Sequence, residues 1–296
     1  MTIKGVSLIV DMSHLAYRVF FISQNIEADF GVDVLIQGVL NSFRSLIKKF
    51  EGMQLFLVWD RGYTRKRELY AGYKRKSEIM TPEQRQKFTS QIAELYDFLQ
   101  SLGLKCCWQE GVEADDVMAA LVNKARVRVQ GTNKYIPVTF PAIIVSEDHD
   151  LNTLLRDGEV LLWKANRNVL YASEDFRQDF GVEPSKYAEM QALMGCSSDK
   201  VPGVRGIGPK SAAALIKRFG SLSAIKDAPD KDRLVSLVQH HWEDAELSFK
   251  LVSFEPVDPV AVCLPPDLSR VRKLLFKWEM FDYIEDWGFV ESLSEL

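Results

Sequence analysis

Four apolar segments of this chain end in carboxylates. The segments are VSLIVD, LFLVWD, GVEADD and IIVSEDHD, and their acids are Asp11, Asp60, Glu113, Asp115, Asp116, Asp148 and Asp150. Because parallel strands bring their carboxyl ends to one edge of a sheet, we expect these side chains to meet in space. This pattern favours an α/β fold with an acidic edge.

The order of the segments predicts the fold class. Apolar runs rich in Val, Ile, Leu and Trp predict strands near residues 6–11, 54–60, 104–108, 142–146 and 159–163. Helical spacing predicts helices at 35–50, 82–101 and 114–127. Strands that alternate with helices indicate a parallel central sheet flanked by helices, as in Rossmann-like and PIN-like folds. The stretch 130–141 is interpreted as an irregular excursion.

The second half of the chain has a different character. After about residue 172 the strand signal stops, and short helical patterns alternate with glycine and proline breaks. We therefore predict an α/β core at 1–172, which includes a basic region near 61–95, and a helical lobe at 173–296. Residues 226–296 are interpreted as a supporting helical layer.

Composition excludes several classes of protein. The chain has 296 residues, 47% hydrophobic, without an apolar run of the roughly 20 residues that span a bilayer. Its four cysteines and four histidines form none of the spacings of zinc or redox sites. No secretory signal is recognised at the amino terminus, so we expect a cytoplasmic monomer that does not bind membranes. The net charge of −4 argues mildly against nucleic-acid binding.

The acids suggest a metal site. Two unit charges 4 Å apart repel by about 4 kcal/mol at an effective dielectric constant near 20, so converging carboxylates need a cation among them. Oxygen ligands suit Mg²⁺ or Mn²⁺, and two such ions form the clamp used for displacement at phosphorus. The alternative is that these acids only cap helices and end strands.

Basic and aromatic residues alternate between positions 61 and 76. They are Arg61, Arg65, Lys66, Arg67, Lys74, Arg75 and Lys76, with Tyr63, Tyr70 and Tyr73 among them. Such a run is either a solvated face or a surface on which arginines steer phosphates and a tyrosine stacks on a base. Tyr73 itself is equally compatible with core packing.

A glycine-rich loop precedes a helical pattern at GVRGIGPKSAAALI. Pro209 stands where a Walker loop needs lysine, and Ser211 where a Rossmann fingerprint needs glycine or alanine, so nucleotide binding is disfavoured. Gly206 and Gly208 let the backbone approach a phosphate, and the helix start with Lys210 and Ser211 assists. A DNA backbone contact independent of sequence fits this segment, and a plain turn between helices is the alternative.

Taken together, the motifs resemble the 5′-nuclease superfamily, which includes the 5′-3′ exonuclease domain of bacterial DNA polymerase I and phage flap endonucleases. The resemblance runs from about residue 6 to about 225 and is carried by LIVDMSHLAYRVFF, VWDRGYTRKRELYAGYK, GVEADDVMAALV, IVSEDHDLNTLL and LMGCSSDKVPGVRGIGPKSAAALI. It implies an α/β core with an acidic site and a helical lobe with a helix-hairpin-helix variant at 203–211.

The resemblance also implies roles for single residues. Asp11, Asp60, Glu113 and Asp115 would serve a first divalent metal supported by Asp116, and Asp148, Asp150 and Asp199 would serve a second. Lys74 and Arg18 match basic active-site positions, although Arg18 equally fits a structural ion pair. The hairpin resembles one that holds K⁺ through backbone carbonyls, at Val204 and Ile207.

Two positions depart from the family pattern. Gly195-Cys196-Ser197-Ser198-Asp199-Lys200 has Cys196 where the family usually has an acid, and Ser77 replaces an arginine. A thiol is a poor ligand for Mg²⁺, so the second site is expected to be weak or to depend on Mn²⁺.

These observations favour a metal-dependent 5′ nuclease acting on branched or 5′-ended duplex DNA, including RNA remnants. The alternatives are a DNA-junction binding protein with an impaired second metal site and an RNA-cleaving PIN nuclease. The long helical carboxyl half argues against the latter.

Overall fold

The computed structural model describes residues 3–26, 31–74, 80–229 and 232–296. The chain packs into two units that interleave in sequence. The sheet unit comprises Met1–Arg61, Glu78–Ser146 and Val257–Leu296, and the helical unit comprises Gly62–Ser77 and Glu147–Pro256. These units differ from the predicted division at residue 172, because the carboxyl-terminal segment belongs to the sheet unit.

The strands are short. They are β1 Ile3–Lys4, β2 Ser7–Asp11, β3 Phe50–Glu51, β4 Gln54–Val58, β5 Lys105–Trp108, β6 Arg126–Val129, β7 Tyr135–Pro137, β8 Ala142–Val145, β9 Val160–Lys164, β10 Val169–Tyr171 and β11 Val260–Val262. Each of the five predicted strands forms.

Helices make up most of the remaining described structure. They are α1 Met12–Ile26, α2 Val32–Lys49, α3 Thr64–Leu69, α4 Pro82–Ser101, α5 Ala114–Lys124, α6 Ser173–Phe180, α7 Tyr187–Met194, α8 Pro209–Phe219, α9 Leu222–Lys226, α10 Arg233–His240, α11 Trp242–Val252, α12 Leu268–Lys277, α13 Phe281–Glu285 and α14 Trp287–Leu293. Two 3₁₀ turns lie at Asp150–Leu154 and Pro184–Lys186. Among the described segments no helix is long and apolar enough to cross a membrane.

The sheet unit has a parallel centre. Its main sheet runs in the order β8-β2-β4-β5-β11-β6-β7, and β8, β2, β4 and β5 are mutually parallel. All five residues of β2 are buried, as expected for a central strand covered on both faces. Asp11 pairs in register with Val58, so β2 and β4 end at the same level.

The outer half of this sheet corrects the predictions. β11 pairs antiparallel with β5 and parallel with β6, so the sheet is mixed. The prediction that the strands end at about residue 172 is therefore wrong, because β11 lies at Val260–Val262. The predicted irregular stretch contains β7, and the helix predicted to run to 127 ends at Lys124. These strands have only three or four residues, too few for a clear alternation in the sequence.

Helix ends follow local chemistry. Thr81 and Gln84 form a capping box in front of α4, with Pro82 in the first turn, and α4 has the predicted limits. α2 buries one face through Leu35, Val39 and Phe43. The carboxyl-terminal segment is tied to α2 by the Arg44–Asp286 ion pair, with nitrogen and oxygen 2.7 Å apart.

The helical unit is built mainly from α6 to α11. It also contains the antiparallel pair β9 and β10 and the short helix α3. α7 and α11 pack closely, and α8 packs on α7. The loop between α7 and α8 contains the glycine-rich segment. The helix-hairpin-helix character of this region stays a prediction.

Candidate active site

Asp11 is fixed at the end of β2. Its side chain is 6% exposed; Oδ1 accepts a hydrogen bond from the backbone N–H of His14 at 2.9 Å, and Oδ2 accepts one from the Oγ of Ser146 at 3.2 Å. Because α1 begins at the next residue, the positive end of its helix dipole lies beside this carboxylate. The helix start thus supplies part of the compensating charge that the sequence requires.

Asp60 joins three segments of the sheet unit. Its Oδ1 accepts a hydrogen bond from the backbone N–H of Ala114, the first residue of α5, at 2.7 Å. Its own backbone N–H donates to the Oγ of Ser13 in α1 at 2.9 Å. The end of β4, the start of α1 and the start of α5 are therefore held together.

Three more acids surround the start of α5. Glu113 is the residue that caps the helix, and Asp115 and Asp116 lie in its first turn. Glu113 and Asp116 are buried, at 4% and 1% exposure. Acids at a helix amino terminus are stabilised by its dipole, which makes this position compatible with several carboxylates. Asp11, Asp60, Glu113, Asp115 and Asp116 are called the first acidic set below.

The loops that carry this set are paired. The backbone N–H of Arg61 donates to the carbonyl oxygen of Val112 at 3.0 Å, and that of Gly111 donates to the carbonyl oxygen of Arg61 at 2.8 Å. The Arg61 guanidinium lies over the Trp108 ring, 5.0 Å from its centroid. These two backbone hydrogen bonds therefore hold the segment after β4 against the segment before α5.

The helical unit holds the second acidic set, Asp148, Asp150 and Asp199. Oδ1 of Asp148 accepts a hydrogen bond from the backbone N–H of Asp150 at 2.9 Å, and Oδ1 of Asp150 accepts one from the Gln191 amide. Burial raises the pKa of Asp150 to about 7, with a further increase from Asp148, while Gln191 and Lys66 oppose the shift. The ionised form of Asp150 is therefore disfavoured, and a bound cation would stabilise it.

Asp199 sits in a tight loop. Cys196 and Val201 exchange two backbone hydrogen bonds across its base, at 3.1 and 2.9 Å. A Cβ on Gly203, whose φ is +64°, would lie 2.4 Å from the backbone nitrogen of Gly195, so only glycine fits there. The Cys196 Sγ lies 3.0 Å from the Ser198 Oγ.

Lys74 is connected to this loop. Its backbone N–H donates to the carbonyl oxygen of Asp199 at 2.9 Å, and its φ is +44°. Its ammonium group lies 5.7 Å from the centroid of the Tyr73 ring, and the buried ammonium group of Lys66 lies 5.8 Å from the same ring. Two cations and the second acidic set thus belong to the same unit.

The proposed stacking of Tyr73 on a base is wrong. The side chain is 2% exposed and packs with Ala188, Val201, Leu251 and Val252. Core packing, the alternative left open by the sequence, is what the structure shows. The ring instead gives Lys66 and Lys74 a common apolar support.

The remaining basic candidates have varied surroundings. Arg65 is exposed and pairs with Glu255 at 3.2 Å, and the Arg67 guanidinium lies over the Tyr63 ring at 4.5 Å. Arg18 is half-buried on α1, in the sheet unit. Arg75 lies outside the described residues. The roles of these arginines stay predictions.

The glycine hairpin is anchored by its apolar residues. Val204 and Ile207 have buried side chains, and the Ile207 N–H donates to the Val204 carbonyl oxygen at 3.0 Å. Gly206, Gly208 and Lys210 are exposed and Ser211 is half-buried just inside the start of α8. The loop can therefore present its backbone and the α8 amino terminus to a phosphate. Binding of K⁺ at Val204 and Ile207 stays a prediction.

The carboxylates of both sets are candidate ligands for divalent metals. Both acidic sets offer oxygen donors, the chemistry that Mg²⁺ and Mn²⁺ prefer. Within the described ranges, no three His, Cys, Asp or Glu side chains are already grouped closely enough to hold one ion. The donor chemistry fits, whereas the grouping of the ligands, and the convergence of the two sets, stay predictions.

Sequence reasoning missed two residues of the second set's surroundings. Lys66 is buried although it lies in a run of exposed basic residues, and the sequence offers no sign of that difference. Gln191, which bonds to Asp150, is 2% exposed. A single amide in the apolar run MQALM was the available signal, since a buried polar group requires a partner.

Family comparisons cover most of the chain. Residues 6–181 match the model of the 5′-3′ exonuclease N-terminal resolvase-like domain, and residues 182–268 match that of the 5′-3′ exonuclease C-terminal SAM fold. A 5′-3′ exonuclease of Aquifex aeolicus is 31% identical, over 94% of this chain and 93% of its own length. Thermostable DNA polymerase I of Thermus aquaticus is 32% identical over 99% of this chain, which spans 34% of that polymerase.

Solved structures share the fold. The flap endonuclease of bacteriophage T5, in a complex with DNA and metal ions, superposes with a TM-score of 0.66 at 20% identity, covering 99% of this chain and 100% of that one. The catalytic core of Rad2 with a DNA substrate gives a TM-score of 0.60 at 17% identity, covering 98% and 93%.

The raised pKa of Asp150 predicts a pH effect in metal-free protein. A folded-state pKa near 7, above the ordinary value near 4, means that the contribution of this carboxyl to stability is fully present below pH 4 and is lost as the pH rises through 7. Asp150→Asn should therefore raise the free energy of unfolding by about 1–3 kcal/mol at pH 8 and change it little at pH 4. Urea unfolding in EDTA measures both.

The matched control for this effect is Asp157→Asn. Hydrogen bonds from Arg177 lower the pKa of Asp157, so its replacement should not stabilise the protein at pH 8. Equal stabilisation by both substitutions, or none by Asp150→Asn, would contradict the assignment.

Proposed function

The chain belongs to the 5′-3′ exonuclease family, and on that premise we propose that it is a metal-dependent nuclease that hydrolyses phosphodiester bonds at 5′ ends and 5′ flaps of DNA. The observation that carries the proposal is the hydrogen-bonded junction of Asp60, Ser13 and Ala114, which ties the segment after β4 to the starts of α1 and α5, where the first acidic set lies. RNA remnants at 5′ ends are further proposed substrates.

The cofactors in this proposal are two divalent metals, Mg²⁺ or Mn²⁺. The first acidic set would hold one, and Asp148, Asp150 and Asp199 would hold the other. When bound, such ions supply an activated water and neutralise the charge that develops on the phosphate. The buried carboxylates Glu113 and Asp116 favour this role, because ionised acids at such low exposure need a cation or strong donors.

The side chains of the helical unit would place the phosphate. The backbone N–H of Lys74 donates to the carbonyl oxygen of Asp199, so Lys74 starts beside the loop that carries an acid of the second set. In that position it would neutralise charge on the leaving side of the scissile phosphate. Gln191 orients the Asp150 carboxylate by donating to Oδ1.

Binding of the duplex would rest on the hairpin before α8. Its exposed glycines and the amino terminus of an 11-residue helix offer backbone N–H groups and a positive dipole end to a phosphate. Lys210 adds a side-chain charge there. These contacts read no bases, so the proposed specificity is for DNA structure rather than sequence. K⁺ at this hairpin is part of the same proposal.

The direct test is cleavage of a 5′-end-labelled flap duplex with Mg²⁺ or Mn²⁺. We expect short labelled products from the parent protein and a loss of at least about 100-fold for Asp115→Asn, because the first acidic set loses a ligand charge. Asp282→Asn, an exposed acid on α13, is the matched control and should cut as the parent does. Binding of the flap without cleavage under either metal would instead support a junction-binding protein.

Cys196 provides a second prediction. It lies at the base of the loop that carries Asp199, where the family usually has an acid, and a thiol binds Mg²⁺ poorly. Cys196→Asp should therefore raise the cleavage rate in Mg²⁺ severalfold and reduce the preference for Mn²⁺. Cys196→Ser is the control for side-chain size and should give no increase. An unchanged or lower rate for Cys196→Asp would show that position 196 is not a vacant ligand position.

A further inference from the structure

The β6–β7 hairpin carries basic residues that the proposed active site does not use. β6 alternates: Arg126 and Arg128 stand on the outer face, and Val127 is buried on the other. The exposed Tyr135 of β7 pairs in register with Arg128, and the Arg126 guanidinium lies 4.6 Å from the centroid of its ring. This face is therefore a small platform of two arginines and a tyrosine.

Neighbouring residues extend the positive charge. Lys124, in the last turn of α5, and the exposed Lys134 add two cations. Asp258 accepts a bond from Lys124 at 2.8 Å and lies 3.8 Å from Arg128. Together with Arg126 and Tyr135, Lys124 and Asp258 line a cleft of about 340 Å³.

The field at this cleft is positive in spite of Asp258. The bond from Lys124 lowers the pKa of that carboxyl, and the charges of Lys124, Arg128 and Arg126 add to the effect. Three cations around one acid leave a surplus of positive charge that an anion would complement.

The platform is held rigidly. The backbone N–H of Val129 donates to the Lys134 carbonyl oxygen at 2.9 Å, and Thr132 bonds through its Oγ to both flanking segments, at 3.1 and 3.0 Å. Gln130 donates to the Ala261 carbonyl oxygen of β11 at 2.9 Å. A fixed hairpin loses little conformational entropy when it binds a partner.

The register places the platform beside the first acidic set. Val260 of β11 pairs with Trp108, the last residue of β5, and also with Arg128. Arg128 is therefore level with the strand ends that precede the acids. It lies three strand spacings from β4, or about 14 Å, and this corresponds to about four base-pair steps of a duplex.

We propose that the Lys124, Arg126, Arg128, Lys134 and Tyr135 surface binds the sugar–phosphate backbone of duplex DNA as an accessory contact. The ligand class is a double-stranded polyanion, bound without sequence preference, because guanidinium and ammonium groups bind phosphates and carry no information about base sequence there. This inference rests on the proposed function in one respect, which is that the bound duplex is also the substrate of the nuclease.

The test is the salt dependence of binding to a 24-base-pair duplex, measured by fluorescence anisotropy in EDTA so that no cutting occurs. Arg126→Gln combined with Arg128→Gln should lower the slope of log K against log salt by about two and weaken binding severalfold. The pair Arg126→Lys and Arg128→Lys keeps the charge and should keep the slope. Circular dichroism confirms folding of each variant.

Lys273→Gln combined with Lys277→Gln on α12 removes the same charge from another exposed surface and is the matched control. An unchanged slope for the arginine-to-glutamine pair, or an equal change for the control pair, would overturn the proposal. If this surface binds a protein partner instead, the arginine-to-glutamine pair should leave duplex binding unchanged. The anisotropy measurement does not depend on cleavage. A protein that fails the nuclease assay can therefore still confirm or contradict the duplex contact at this surface.

Discussion

The hydrogen bond from Ala114 to the Asp60 carboxylate organises the sheet unit's acids. It joins the segment that follows a buried central strand to the first turn of the helix that carries Glu113, Asp115 and Asp116. The backbone N–H of Asp60 in turn donates to the Oγ of Ser13, two residues after Asp11. Without this junction, the segment after β4 would lose its hydrogen bonds to the starts of α1 and α5.

The same junction explains how several carboxylates are tolerated. Two helices, α1 and α5, begin at the acids, and their amino-terminal dipoles lower the cost of negative charge. In the helical unit, burial and Asp148 raise the pKa of Asp150 in spite of Gln191 and Lys66. A cation bound at the second acidic set would favour the ionised form of Asp150.

Sequence reasoning captured the parts of the fold that long periodic segments encode. Continuous apolar runs such as SLIVD revealed the central strands, and the Thr81-Pro82 pair marked the start of α4. β11 was missed because a three-residue strand between prolines is too short to show an alternating pattern. It forms only through its pairing with β5 and β6, which are distant from it in the sequence. The acids were identified from their positions after strands, whereas the burial of Lys66 and Tyr73 depends on packing that no local pattern records.

The central claim is that the two acidic sets bind divalent ions, one more tightly than the other. Calorimetric titration of Mn²⁺ into the parent protein, Glu113→Gln and Asp199→Asn tests it most directly. The account predicts two classes of site in the parent, with the tighter class weakened by Glu113→Gln and the weaker class by Asp199→Asn. No binding by the parent, or a single class that neither substitution changes, would contradict it.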